Sequence, residues 1–185
     1  MNPSPIPGTP QAAAPKGASA RLFLALWPSP EARLAASRWQ AAQHWPAGAQ
    51  VVAPSNFHVT LPFIGAVALA RVQVLAAACV VPFKAFDILL DRVEVWHHGV
   101  VVLVSGALPG ALVDLHERLT TTVRAQGVEL DTREFRPHLT LARRSAGLVP
   151  AKLDMPAPVQ WRVNRYVLAV SAGGQYNVVQ SYPAS

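Results

Sequence analysis

The chain holds a single cysteine, Cys79, so no internal disulfide can form. It sits in "RVQVLAAACVV", where a lone thiol on an apolar helix face reads as a buried core residue. A reduced, cytoplasmic setting is the expectation that goes with it. No apolar stretch reaches the roughly 18 residues that a membrane span requires, so a soluble protein is expected. No run of five or more basic residues occurs either, although the formal net charge is +6. Scattered arginines favour polyanionic partners, RNA among them, without singling one out.

Several chemistries lack their motifs. There is no Gly-x-Ser-x-Gly, and Ser171 lies in an ordinary predicted strand, so a nucleophilic-serine enzyme finds no support. Gly173-Gly174 is followed by neither a lysine nor a helix start, which rules out a P-loop. His97-His98 has no Asp, Cys or third His at ligand spacing, and adjacent strand residues face opposite ways, so no metal is expected. No cofactor is implied. His44 and His116 fall on predicted helices and are expected to be solvated. The five tryptophans are spread through both halves and read mainly as core, with Trp45 able to line a groove.

The first twenty residues, "MNPSPIPGTPQAAAPKGASA", are Pro, Ala, Gly and Ser with one charge, a composition unable to bury much apolar surface. They lack the basic start and apolar run of a signal peptide. Residues 1–20 are therefore expected to be a disordered extension, and 21–185 a single domain. About 165 residues suffice for one core burying roughly 70% of the unfolded surface.

What is present is a repeat. "RLFLALWP" reads as a buried strand stopped by proline. A helix follows, with Ser29 as N-cap, Pro30 at its first position and Glu31 in its first turn, ended by Pro46 and Gly48. Then comes "NFHVTL". Further on, Val100 to Val104 form another apolar strand, Leu112, Leu115, Leu119 and Val123 trace a helical stripe, and Gly127 is placed to stop it. "RPHLTL" completes the unit. Leu24 precedes His58 by 34 residues and Leu103 precedes His138 by 35. Strand, helix and His-x-Thr strand thus occur twice, a duplicated half-domain rather than a solenoid.

Each half continues. "AVALARVQVLAAACV" is predicted helical, and "FKAFDILLDRVEVW" extended with Phe86, Ile88 and Leu90 alternating. "VQWRVNRYVLAVS" and "QYNVVQSY" read as strands, the latter pair joined by a Gly173-Gly174 hairpin turn. Strands joined mostly by short turns give an α+β fold, with two antiparallel sheets and flanking helices in two pseudo-symmetric lobes around a central cleft.

Alternate strand side chains share a face. His58 therefore points with Thr60, and His138 with Thr140, while Val59, Leu61, Leu139 and Leu141 are buried behind them. A pseudo-twofold would aim both pairs into one cavity. Such a site suits a phosphodiester: one imidazole accepts a proton from the attacking oxygen and the other donates one to the departing oxygen. Histidine fits because its ordinary pKa of about 6.5 leaves one ring neutral beside a protonated neighbour. Threonine hydroxyls and an arginine would bind the phosphate oxygens. A structural duplication alone gives no reason to keep an outward His and Thr in both halves.

"RLFLALWP", "NFHVTLPFIG", "LDRVEVWHHGVVVLV" and "ELDTREFRPHLTLARR" stand in an order that resembles the two-histidine (2H) phosphoesterase superfamily. Within it, the chain is similar to the bacterial RNA 2′,3′-cyclic phosphodiesterases, also called 2′-5′ RNA ligases, from Arg21 to Pro183. The resemblance implies a bilobal, metal-free enzyme that opens 2′,3′-cyclic phosphate RNA ends to 2′-phosphates, with 2′-5′ joining as the reverse. It implies His58 as the acid for the departing 3′-oxygen, His138 as the base for water, and Thr60 and Thr140 as phosphate ligands. It also places a phosphate-binding arginine at Arg143, whereas strand alternation favours Arg144 on the His138 face. A bulge or strand end after Leu141 would reconcile them. Phe63 stands where the family has an aromatic that stacks on a terminal base, although alternation points it to the core. Pro62 replaces the family's commoner polar or aliphatic residue and is expected to shape the cleft wall without altering the chemistry. Tyr176 corresponds to a tyrosine near the cleft, with core and rim equally open. Two other readings stay open: a non-catalytic module binding nucleotides or RNA ends, and a cyclic phosphodiesterase acting on a small nucleotide such as ADP-ribose 1″,2″-cyclic phosphate. Nothing in the residues demands an obligate interface, so a monomer is expected.

Overall fold

The computed structural model of the chain describes residues 18–145, 147 and 157–185. Strand β1, Ser19–Leu26, is buried on both faces. Leu22, Leu24 and Leu26 enter the main core, while Phe23 and Ala25 pack with Val167 and Ala169 on the other face. A central strand covered on both sides reads as an unbroken apolar run. Helix α1, Pro30–Ala41, starts where the sequence says: the Ser29 Oγ accepts from the Ala32 N–H, with proline in the first turn. It stops at Ala41, several residues before Pro46, and His44 lies exposed beyond it rather than on a helix.

Two short elements, β2 (Gln50–Val51) and a 3₁₀ turn at Pro54–Asn56, lead into β3, Val59–Ala68. Here the helical reading of "AVALARVQVLAAACV" needs correction. Ala66 to Ala68 still belong to β3, paired with β1, and helix α2 spans only Val72–Ala78. High alanine content gives helix propensity, but the ladder with β1 holds those residues extended. Cys79 caps α2 fully buried, and burial pushes its thiol up to about 11.

Strands β4 (Phe86–Leu90), β5 (Arg92–Trp96) and β6 (Val100–Val104) precede α3, Gly110–Ala125. Phe86, Ile88 and Leu90 are the buried side of β4, and Leu112, Leu115, Leu119 and Val123 are the buried stripe of α3. Gly127 follows α3 with φ 71°, a left-handed stop that only glycine adopts freely. His97 and His98 occupy a 3₁₀ turn, not a strand, and both are exposed. The remaining strands are β7 (His138–Arg143), β8 (Val159–Val163), β9 (Arg165–Ala172) and β10 (Gln175–Pro183).

The architecture is α+β with antiparallel sheets. One eight-stranded sheet runs β10-β9-β1-β3-β7-β6-β5, with β2 on β7, and β4 pairs with β8 in a second, small sheet. The predicted halves are visible in it: β1 pairs with β3 as β6 pairs with β7, both antiparallel. They fuse at one register pair, Val59 opposite Leu139. These are the same position of the two His-x-Thr motifs, so the local twofold of an antiparallel pair coincides with the twofold of the duplication. Leu26 lies opposite Val59 and Leu103 opposite Leu139, so the structural counterpart of Leu103 is Leu26, not Leu24. The helix-to-strand loops absorb the difference. The tails cross over: β5, from the first half, lines β6, and β9, from the second, lines β1.

Most of the expected extension, residues 1–17, lies outside the described residues. Its last three residues do not, and of these Ser19 and Ala20 pair with Ala68 and Val67 in the β1–β3 ladder. Backbone pairing needs no particular side chain, so composition could not reveal this boundary.

Candidate active site

His58 precedes β3 directly and His138 opens β7, the two strands joined at the twofold. Each imidazole is fixed in the same way. His58 Nδ1 lies 2.7 Å from the Asn56 carbonyl oxygen, and His138 Nδ1 lies 2.7 Å from the Arg136 carbonyl oxygen. A carbonyl only accepts, so each Nδ1 carries the proton and each Nε2 is left as the free, basic atom of the neutral ring. Both rings are half-buried. Burial lowers the pKa of each below its ordinary value, and the carbonyl contacts push partly the other way. Arg143 lowers both, and the charge of His138 further lowers His58.

The carbonyls are themselves anchored. The Asn56 side chain donates to the Gly174 carbonyl at 2.8 Å, and Arg33 of α1 donates to the Pro54 and Ser55 carbonyls. Gly173 and Gly174 have φ values of 57° and 79°, the positive pair that a tight hairpin turn requires. That turn delivers Tyr176, whose ring meets His58 edge-on at 5.0 Å. Phe23 and Trp27 complete the aromatic bed beneath His58, at 5.0 and 5.9 Å. On the other side Trp96 meets His138 at 4.4 Å. The Trp96 Nε1–H donates to Glu94 Oε2 at 2.6 Å, Arg136 donates to the same oxygen at 3.0 Å, and the Arg136 guanidinium covers the indole. The peptide that holds His138 is thus clamped by its own side chain.

Strict alternation fails in both histidine strands at the same place. In β7, Val102 faces Thr140 but Val101 faces Ala142, leaving Leu141 as an extra, bulged residue. In β3, Ala25 faces Thr60 and Phe23 faces Phe63, so Leu61 and Pro62 stand against Leu24 alone. Proline offers no N–H to the ladder, which suits a bulge. Leu61 and Pro62, like Leu141 and Ala142, are consecutive buried residues. The next residue in each strand is therefore turned to the histidine face. Those residues are Phe63 and Arg143, again the same position of the two repeats.

This settles two expectations. Phe63 does not point to the core: it is 42% exposed and borders the cavity with His58 and Thr60. Arg143 lines that same cavity, while Arg144 lies past the strand, exposed, with φ 55°. The bulge at Leu141 overrides the alternation that favoured Arg144, which is not a lining residue of the described cavities. The cavity measures about 200 Å³ and also includes Arg21, Phe23, Ser171 and Tyr176. Arg21 caps the Phe63 ring at 4.8 Å. Thr60 lines both this cavity and a larger one containing His138. Thr140 stands half-buried two residues along β7 from His138.

Trp39 and Trp161 are core, as expected. Trp45 belongs to packing, its indole N–H donating to the Gln40 carbonyl at 3.0 Å. Trp27 and Trp96 depart from the core expectation and pack against His58 and His138. Period-2 alternation in "RLFLALW" carried a signal for Arg21, Phe23 and Trp27, which share the face opposite Leu22, Leu24 and Leu26. His116 is not solvated but half-buried and stacked on Phe135. Among the described residues, no group of three or more His, Cys, Asp or Glu is gathered to hold a metal ion, and no helix is long and apolar enough to cross a membrane.

Known proteins are similar to this chain in sequence family and in fold. The model of the 2′-5′ RNA ligase superfamily matches residues 26–175. The RNA 2′,3′-cyclic phosphodiesterase of Escherichia coli (strain K12) is 30% identical over 131 residues, covering 70% of this chain and 74% of that protein. The crystal structure of E. coli LigT in apo form matches with a TM-score of 0.81 at 27% identity, over 90% of this chain and 98% of that one. LigT complexed with 3′-AMP matches with a TM-score of 0.83 at 25% identity, over 91% and 99%.

Proposed function

The chain belongs to the 2′-5′ RNA ligase superfamily, and on that premise we propose that it hydrolyses 2′,3′-cyclic phosphate ends of RNA to 2′-phosphomonoesters. With the 5′-hydroxyl of a second RNA end in place of water, the same groups would open the cyclic phosphate into a 2′-5′ linkage, O3′ again leaving, and that step is reversible. The observation that carries the reading is the matched fixing of two imidazoles, each with Nδ1–H on the carbonyl two residues before it, on strands that meet at the twofold.

In the proposed reaction a water oxygen attacks phosphorus and gives its proton to the free Nε2 of His138. The P–O3′ bond breaks as the protonated Nε2 of His58 delivers its proton to the departing oxygen. The ring states are then exchanged, and proton transfer through solvent resets them. Arg143 faces the non-bridging oxygens as negative charge gathers there, with Thr60 and Thr140 donating hydroxyl hydrogen bonds. Phe63 offers its exposed ring to the terminal base. The scheme uses no metal, so chelator should leave it intact.

The test is turnover of a defined oligonucleotide ending in a 2′,3′-cyclic phosphate, with EDTA present and the position of the product phosphate determined. A 2′-phosphate supports the reading. A 3′-phosphate would mean that the leaving oxygen is wrongly assigned, and binding without product would favour a non-catalytic module. Preference for ADP-ribose 1″,2″-cyclic phosphate over RNA would move the same chemistry to a small nucleotide.

A further inference from the structure

The His58 cavity, about 200 Å³, has room for a phosphate and part of a ribose, while ligands of drug size occupy roughly 300–1,000 Å³. A second cavity of about 700 Å³ opens on the His138 side and shares Thr60 and Phe63 with the first. The two spaces thus adjoin across Thr60 and Phe63. The far wall of the larger one comes from α3 and the segment leading into β7. There the His116 imidazole lies flat on the Phe135 ring, 3.7 Å apart and tilted by only 8°. Arg124, two turns further along α3, borders the same space. So does Thr120, one turn from His116, whose hydroxyl is buried without a hydrogen-bond partner. Burial, reinforced by the charge of Arg124, keeps His116 biased toward its neutral form.

A flat aromatic pair, a cation and an unpartnered hydroxyl around a nucleotide-sized space match the parts of a nucleotide. Bases stack on aromatic faces regardless of sequence, and phosphodiesters meet arginine. We infer that this far wall is a second nucleotide subsite, taking the nucleotide on the 5′ side of the cyclic-phosphate end. Its base stacks at Phe135 and His116, and the phosphodiester linking it to the terminal nucleotide lies toward Arg124. The proposal rests on the cyclic-phosphate reading above and deepens it: the preferred substrate is a chain end of at least two nucleotides, not a mononucleotide.

The experiment compares KM for a nucleoside 2′,3′-cyclic phosphate with KM for a dinucleotide ending in the same cyclic phosphate. For the wild-type protein the dinucleotide should have a KM lower by about 5- to 100-fold, the range expected from stacking one base. Phe135→Ala and Arg124→Ala should each move that ratio toward one. Arg124 is exposed on α3, so its variant remains informative should Phe135→Ala fail to fold. Equal KM values for the two substrates in the wild type, or ratios untouched by the Arg124 substitution, would overturn the subsite alone. Turnover of neither substrate would overturn the cyclic-phosphate reading and the subsite together.

Discussion

The side-chain amide of Gln40, on α1, donates to the carbonyl of Leu141 at 2.7 Å, inside the core. Leu141 is the bulged residue that turns Arg143 to the histidines. The same amide reaches the Val52 carbonyl at 2.9 Å, and the Val52 N–H donates to the Leu141 carbonyl at 2.8 Å. A bulge disrupts the local ladder, and here the helix adds a second donor to the bulged carbonyl beside the Val52 N–H.

Removing that amide should cost stability and misplace Arg143. Gln40→Ala is expected to destabilise the fold by about 1–3 kcal/mol, the penalty of leaving buried carbonyls underpaired. It should also lower kcat through Arg143. A double-mutant cycle separates the two effects: on an Arg143→Ala background, Gln40→Ala should change kcat little further while still lowering the denaturation midpoint. Full additivity in kcat would show that Gln40 does not act through Arg143.

Equivalent positions should fail differently. Arg143→Ala removes charge stabilisation needed mostly at the transition state, and the loss should fall in kcat, about 10²–10³-fold by analogy with other oxyanion donors. Phe63→Ala removes a stacking face, worth about 1–3 kcal/mol per base, and should raise KM with a smaller change in kcat. Phe63→Trp should restore binding. Steady-state kinetics on one cyclic-phosphate oligonucleotide reads both.

The pH profile follows from the sign of the histidine shifts. In the free protein the base, His138, must be neutral and sets the acid limb of kcat/KM; the acid, His58, must be protonated and sets the alkaline limb. Both are lowered from 6.5, chiefly by burial, so the bell should centre below pH 6.5. Arg143 lowers both, so Arg143→Ala should carry both limbs of the residual activity to higher pH. The limbs belong to the coupled pair rather than to either ring alone. An optimum well above pH 7 in the wild type would contradict this.

Cys79 should be inert. With its thiol pushed to about 11 and its side chain fully buried, alkylation at pH 8 should occur only after denaturation. Mass spectrometry of native and urea-treated protein after iodoacetamide checks it.

The fold was largely legible because its signals are local and repeated: the Ser29 cap, the α3 stripe, the alternation in β4 and the two His-x-Thr strands. The α2 reading failed where an alanine-rich stretch was claimed by pairing with β1, a non-local effect that propensity does not carry. Within the site, the shared faces of His58 with Thr60 and of His138 with Thr140 follow from alternation, although Thr140 lines neither histidine cavity. Phe63 and Arg143 do not follow from it, since a bulge shifts phase by one residue and is held by partners far along the chain, Gln40 and Val52 for Leu141. Trp96 and Glu94 come from a strand that reaches β6 by crossing between the repeats, so no spacing within one motif could find them.

The claim beneath all of this is that both imidazoles meet one phosphorus. Nitrogen-15 NMR titration of the histidine rings, with and without a nucleoside 2′-monophosphate, tests it most directly. In the free protein both rings should titrate below 6.5 with the proton on Nδ1; bound phosphate should raise both pKa values together and perturb both Nε2 resonances. A ligand that shifts the ring of His58 or of His138 while leaving its counterpart unmoved would contradict the account.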